Sequence, residues 1–156
     1  MNLFLLNIIK SFPPELAHNI TIKFMRYPIF FKNKSIAYKS LETELFGITL
    51  SNPLGLAAGF DKNAVALPSL LKLGFSFIEV GTITPKRQFG NNKPRVFRLN
   101  QNQSIINRLG FPNYGMDEVY KNIIKLRKQH PLKKEPLIGV NIGFNKDSID
   151  PLNDYL

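Results

Sequence analysis

Residues 54–82 read LGLAAGFDKNAVALPSLLKLGFSFIEVGT, and the succession of textures inside that stretch decides the fold. Leu54 to Ala58 is apolar on both faces and ends at Gly59, the pattern of a strand buried in a parallel sheet. Val65 to Leu73 predicts a helix, with Gly74 placed to stop it. Phe77 to Gly81 then predicts a second strand. Strand, helix and strand in that order imply a parallel pair joined by a right-handed crossover.

The pattern continues in both directions. Upstream, Thr43 to Phe46 and Ile48 to Leu50 flank Gly47 and predict a hairpin lid. Downstream, Met116 to Gln129 is amphipathic, with Val119, Ile123, Ile124 and Leu126 apolar, and Leu137 to Asn141 reads as a third buried strand after Pro136. Between strand two and that helix lies a long loop. The class is α/β, either a doubly wound sheet or a barrel. Polar residues fall at the strands' carboxyl ends, where both folds place ligands: Gly59 to Lys62 after the first strand, Thr82 after the second and Asn141 at the third. Asn153 to Leu156 reads as the start of a further helix, so the expected architecture is incomplete, about three βα units where a barrel has eight.

The first forty residues differ in texture. They hold no glycine, and Lys10, Lys23, Arg26, Lys32, Lys34 and Lys39 face a single acid, Glu15. Pro14 suits the first turn of a helix in which Leu16, Ile20, Phe24 and Tyr27 form one apolar stripe, and Pro28 ends it. Leu3, Leu6, Ile8 and Ile9 predict a shorter helix ahead of it. Residues 1–41 are therefore expected to form a small helical domain and residues 42–156 a partial α/β domain.

Composition narrows the function. The 156 residues carry 21 Lys and Arg against 11 Asp and Glu, a formal charge of +10, which favours anionic partners. No cysteine is present, and His18 and His130 are far apart, so no metal centre is expected. Leu3 to Ile9 is too short to span a bilayer and lacks the flanks of a secretory signal, which points to the cytoplasm.

Three loops could carry chemistry. Ala57-Ala58-Gly59-Phe60-Asp61-Lys62 places small residues at a strand tip, where the edge of a planar ligand can lie on the backbone and Lys62 can supply a fixed cation. A tight βα turn with a solvated lysine is the plain alternative. Glu79 to Arg98 adds the Thr82 hydroxyl and five basic residues, with Phe89 and Phe97 interleaved. That reads as a solvated loop, an anion site, or a nucleic-acid surface without a recognition motif. Asn107-Arg108-Leu109-Gly110-Phe111 and Asn141 offer amides that match the alternating donors and acceptors of a pyrimidine or flavin ring, although an isolated asparagine is more often a turn former.

Residues 52–63, Glu79 to Arg98 with its Gly-Thr and Lys-Pro-Arg, Asn107 to Phe111, and Gly139 to Lys146 occur in the order found in the quinone-linked, class 2 dihydroorotate dehydrogenases, which the chain resembles over nearly its whole length, including Pro14 to His18. The resemblance extends over about the first half of that family's usual length.

It implies an FMN-containing (β/α)₈ TIM barrel that oxidises dihydroorotate to orotate in pyrimidine biosynthesis and passes the electrons to a membrane quinone. By position, Ala58, Gly59, Phe60, Asp61, Lys62, Thr82 and Asn141 are implied FMN contacts. Lys62, Asn107, Arg108, Leu109, Gly110 and Phe111 are implied substrate contacts. The basic helices are implied to lie on the membrane at the quinone entrance, on the cytoplasmic side of the inner membrane in a bacterium. The family's catalytic base is a serine within an Asn-Ile-Ser-Ser-Pro-Asn-Thr run that does not occur here, and Ser76, Ser104 and Ser148 sit in other contexts. Its phosphate-binding loops also lie beyond residue 156, and Phe144 stands where a lysine is common. The chain alone is thus expected neither to retain FMN nor to turn over dihydroorotate. The alternatives are a half that complements a separately encoded carboxyl-terminal piece, or a basic module for nucleic acid or anionic lipid.

Overall fold

The computed structural model describes residues 3–31, 38–129 and 137–156. Lys32, Lys34, His130 and Pro136 lie outside them. Two helices lead, α1 (Leu3–Ser11) and α2 (Pro14–Met25). α2 starts where Pro14 meets the helical φ without needing an N–H partner, and a 3₁₀ turn over Pro28–Phe30 follows it. The expected stripe on α2 points outward: Leu16, Ile20 and Phe24 are each 43–50% exposed. Ala17 and Met25 are the buried pair, two turns apart on the face that packs inward.

Two short strands, β1 (Thr43–Leu45) and β2 (Ile48–Leu50), form the expected antiparallel hairpin. Phe46 and Gly47 both take positive φ at its turn, the conformation that matches the twist of a two-residue hairpin.

The parallel sheet holds β3 (Gly55–Leu56), β4 (Phe77–Ile83) and β7 (Leu137–Ile142) in the order β3-β4-β7. Gly55 opposes Phe77, and Phe77 opposes Leu137, so the carboxyl ends lie together. Only two residues of the expected first strand pair before the backbone turns into the Ala58–Lys62 loop, and at Gly55 a side chain would overlap the Phe77 ring. The crossover helix is shorter than Val65 to Leu73: residues 62–66 form turns, α3 spans Leu67–Leu70, and a 3₁₀ turn over Leu71–Leu73 ends at Gly74 with φ 94°. The third strand is not fully buried, since Val140 and Ile142 are 46% and 58% exposed at the sheet's edge.

The long loop is also partly structured. β5 (Val96–Leu99) and β6 (Ser104–Asn107) form an antiparallel hairpin that carries the start of the Asn107–Phe111 segment. α4 (Met116–Gln129) has the expected bounds. Leu67 and Leu70 of α3, Ile78 and Val80 of β4, Val119 and Leu126 of α4, and Met25 of α2 form one apolar cluster, so α2 is packed into the same core as the sheet.

Candidate functional site

The loop after β3 is anchored by Asp61. Its carboxylate is buried and accepts N–H bonds from Val65 at 3.0 Å and Ala66 at 2.7 Å, closing the turn ahead of α3. Burial pushes its pKa up, and those backbone donors pull it back. Asp61 therefore holds the loop. Gly59, at φ 104°, donates to Gly81 O across the strand tips at 2.9 Å, and nothing stands within 4 Å of where its side chain would be. The backbone there is open to a ligand, as small residues at a strand tip permit.

Lys62 turns back over this loop. Its Nζ donates to Gly59 O at 2.6 Å and lies 3.4 Å from His18 Nε2 on α2. Burial pushes the ammonium's pKa down, Glu15 and Asp61 pull it up, and Arg95 pushes it down again. His18 is lowered to about 4, chiefly by burial and then by Lys62.

Glu15, one turn before His18, meets Arg95 in a two-oxygen ion pair with a closest approach of 2.6 Å. Arg95 is buried and also donates to Phe89 O at 2.6 Å and Asn91 O at 2.9 Å, while its pairing holds the Glu15 carboxyl below the usual range. A guanidinium suits this role because its planar fork reaches several acceptors at once.

These groups line a cavity of about 750 Å³ between α2, the β3 loop and the β5–β6 hairpin. Among the described residues, Lys23, Arg26, Arg87, Lys93 and Arg98 join Lys62 and Arg95 around it, against Glu15 and Asp61. Both carboxylates are already engaged, so the space suits an anion.

The expected site residues fall into two sets. Gly59, Phe60, Asp61, Lys62, Asn107 and Leu109 line the cavity. Ala58, Thr82, Asn141, Arg108, Gly110 and Phe111 do not. Thr82 and Asn141 meet each other instead: Thr82 Oγ1 donates to Asn141 Oδ1 at 2.6 Å, and Asn141 Nδ2 donates to Glu79 Oε1 at 3.1 Å. They form a polar tip across β4 and β7, beside Gly81, where a Cβ would overlap Asn141 O. Asn107 uses Oδ1 for the Leu109 N–H at 3.4 Å. Arg108 and Gly110 are held through their carbonyls by Asn91 Nδ2 and Gln88 Nε2, whereas the Phe111 ring is exposed.

Three participants escaped the reading of the sequence. Glu15 and His18 are three apart on a helix starting at Pro14, a spacing that puts both on one face. That signal was available. Asn113 is buried and ties Thr84 N, Thr84 Oγ1, Phe111 O and Gly115 N together. No local pattern announces Thr84, 29 positions away, as its partner. Among the described residues, no helix is long and apolar enough to cross a membrane.

A parallel α/β sheet with a cationic cavity and amide-bearing loops at its strand tips is the arrangement in which α/β folds place their ligands. The comparisons narrow it further. The sequence model described as dihydroorotate dehydrogenase matches residues 40–156. The chain is 45% identical over 143 residues to the dihydroorotate dehydrogenase (quinone) of Sinorhizobium fredii and 44% identical over 151 residues to that of Rhodopseudomonas palustris. It covers 92% and 97% of its own length in those matches, but 38% and 40% of theirs. The crystal structure of DHODH from Eimeria tenella in complex with ferulenol superposes with a TM-score of 0.82 at 43% identity, over 91% of this chain and 39% of that one. The chain belongs to the dihydroorotate dehydrogenase family.

Proposed function

We propose that this chain supplies the flavin-edge and substrate-cation part of a quinone-linked dihydroorotate oxidation site, in a TIM barrel that needs further βα units for turnover. The observation that carries the reading is the meeting of Lys62, Gly59 and Asn107 around one cation-rich cavity at the carboxyl end of a parallel sheet.

The residues fit FMN in kind. Gly59 leaves open backbone at the first strand tip, and Thr82 and Asn141 bring a hydroxyl and an amide to the next two. Ala58 to Lys62, Thr82 and Asn141 would hold the ring system, which when bound supplies the two-electron acceptor for dihydroorotate. The chain's own residues bind and orient. Lys62 offers a cation to the substrate carboxylate, and the Asn107 amide offers its N–H groups to the pyrimidine edge. Arg108 to Phe111 complete that substrate loop. Asp61 keeps the first loop closed. Ser76 is buried at the opposite end of β4 from these loops, donating to Asn52 O. The outward stripe on α2, with Lys10, Lys23 and Arg26 nearby, would rest on an anionic membrane surface and face the quinone.

Purified as these 156 residues, the protein should be colourless at visible flavin wavelengths and should not reduce a quinone with dihydroorotate. A yellow, active preparation would refute the requirement for further units. Further units would pair along the exposed edge of β7, and in a second arrangement they come from a separate polypeptide. Co-expression with the remaining part of the Sinorhizobium fredii relative should then restore flavin absorbance.

A further inference from the structure

The contact between α2 and the β3 loop assigns a role to a residue outside the sets discussed above. His18 Nε2 stands 3.4 Å from Lys62 Nζ, and its ring meets Phe60 edge-on with centroids 5.5 Å apart. An ammonium has donors only, so a hydrogen bond between the two requires Nε2 to present its lone pair and places the ring proton on Nδ1. A protonated imidazole would set donor against donor. Burial and the lysine charge both oppose that form, and only Glu15 favours it.

We infer that His18 is a positioning residue for Lys62: its neutral, Nδ1-protonated ring, braced by Phe60, accepts one ammonium proton while Gly59 O accepts a second. An ammonium carries three N–H groups, so one is left to point into the cavity at an anion. α2 thereby becomes part of the seat of the cation. The consequence for substrate rests on the role proposed for Lys62, but the contact itself does not.

Long-range proton–nitrogen NMR of the full chain at pH 7 tests the tautomer directly. With only two histidines, His130→Gln identifies the remaining ring. A bare Nε2 and a protonated Nδ1 are expected, and a protonated Nε2 overturns the inference. Amine acetylation followed by mass spectrometry tests the positioning. His18→Leu should speed modification of Lys62 about fivefold, the scale of one lost hydrogen bond, and His18→Gln, which keeps an acceptor, should restore the slow rate. Equal rates in the parent and in a His18→Leu protein with unchanged circular dichroism also overturn it. In the complex whose flavin absorbance co-expression has restored, added orotate should slow Lys62 acetylation further. If it does not while the tautomer result stands, the role given to Lys62 under the proposed function fails and the His18 contact survives.

Discussion

At Arg95 a single guanidinium joins three segments: Glu15 on α2, Phe89 O and Asn91 O in the loop ahead of β5, and the start of β5 that follows it. Arg95→Ala leaves Glu15 with the exposed Lys93 ammonium 3.6 Å away and removes the donor shared by the Phe89 and Asn91 carbonyls, and should lower unfolding stability by about 2 kcal/mol, measured as a shifted urea midpoint. Arg95→Lys keeps the charge but cannot reproduce the fork, so it should recover less than half of that loss. His18 makes a pH prediction. Its folded pKa lies near 4 while an unfolded histidine titrates near 6.5, so the unfolded chain binds the extra proton between those values. Its contribution therefore disappears as pH falls from about 6.5 towards 4. His18→Gln should flatten the decline in melting temperature across that window, while leaving the acid-side loss expected from Glu15, whose pKa is lowered. The sequence singles out these loop residues because glycine, lysine and asparagine fall at a strand tip, and the structure brings Gly59, Lys62 and Asn107 to one cavity. Arg95 was visible only as one cation among five, because nothing local reveals a partner 80 positions away.

Among the elements, β4 is the hinge of the arrangement, paired on both sides and buried at Ile78 and Val80. Gly81 ends its regular pairing at φ 108°, against Asn141 O. Gly81→Ala adds both a strained φ and an overlap with β7, and should cost about 2–4 kcal/mol, read by thermal denaturation. Protection of β7 amides from hydrogen exchange should fall first. Strands β4 and β7 and helix α4 were legible because apolar runs and a 3.6-residue period extend over enough positions to be distinctive. The helix was expected to start too early because Asp61 captures the backbone N–H groups of Val65 and Ala66, a side-chain bond that competes with regular structure. The β5–β6 hairpin was missed because it lacks a two-residue Asn-Gly or Gly-X turn. Residues 100–102 form a 3₁₀ turn instead, and Gln103 takes φ 49°.

For the whole molecule, the decisive feature is that α2 has two occupied directions. Ala17 and Met25 face the core, whereas Leu16, Ile20 and Phe24 face out, with Phe24 stacked on Phe30 at 4.9 Å. Ile20→Glu combined with Phe24→Glu should weaken sedimentation with anionic vesicles about tenfold yet leave the melting temperature nearly unchanged, because neither side chain is in the core. The apolar period of α2 was legible in the sequence; the direction of its stripe was not, since periodicity alone does not say which surface receives it.

Glu15 and His18 occupy neighbouring turns, so their grips on Arg95 and Lys62 share one screw axis. Inserting a single residue just ahead of Glu15 would rotate both by about 100° relative to the start of the helix. Substitutions in this helix can be tolerated one at a time, but a change of length there would release both grips together, leaving little room for gradual drift in spacing.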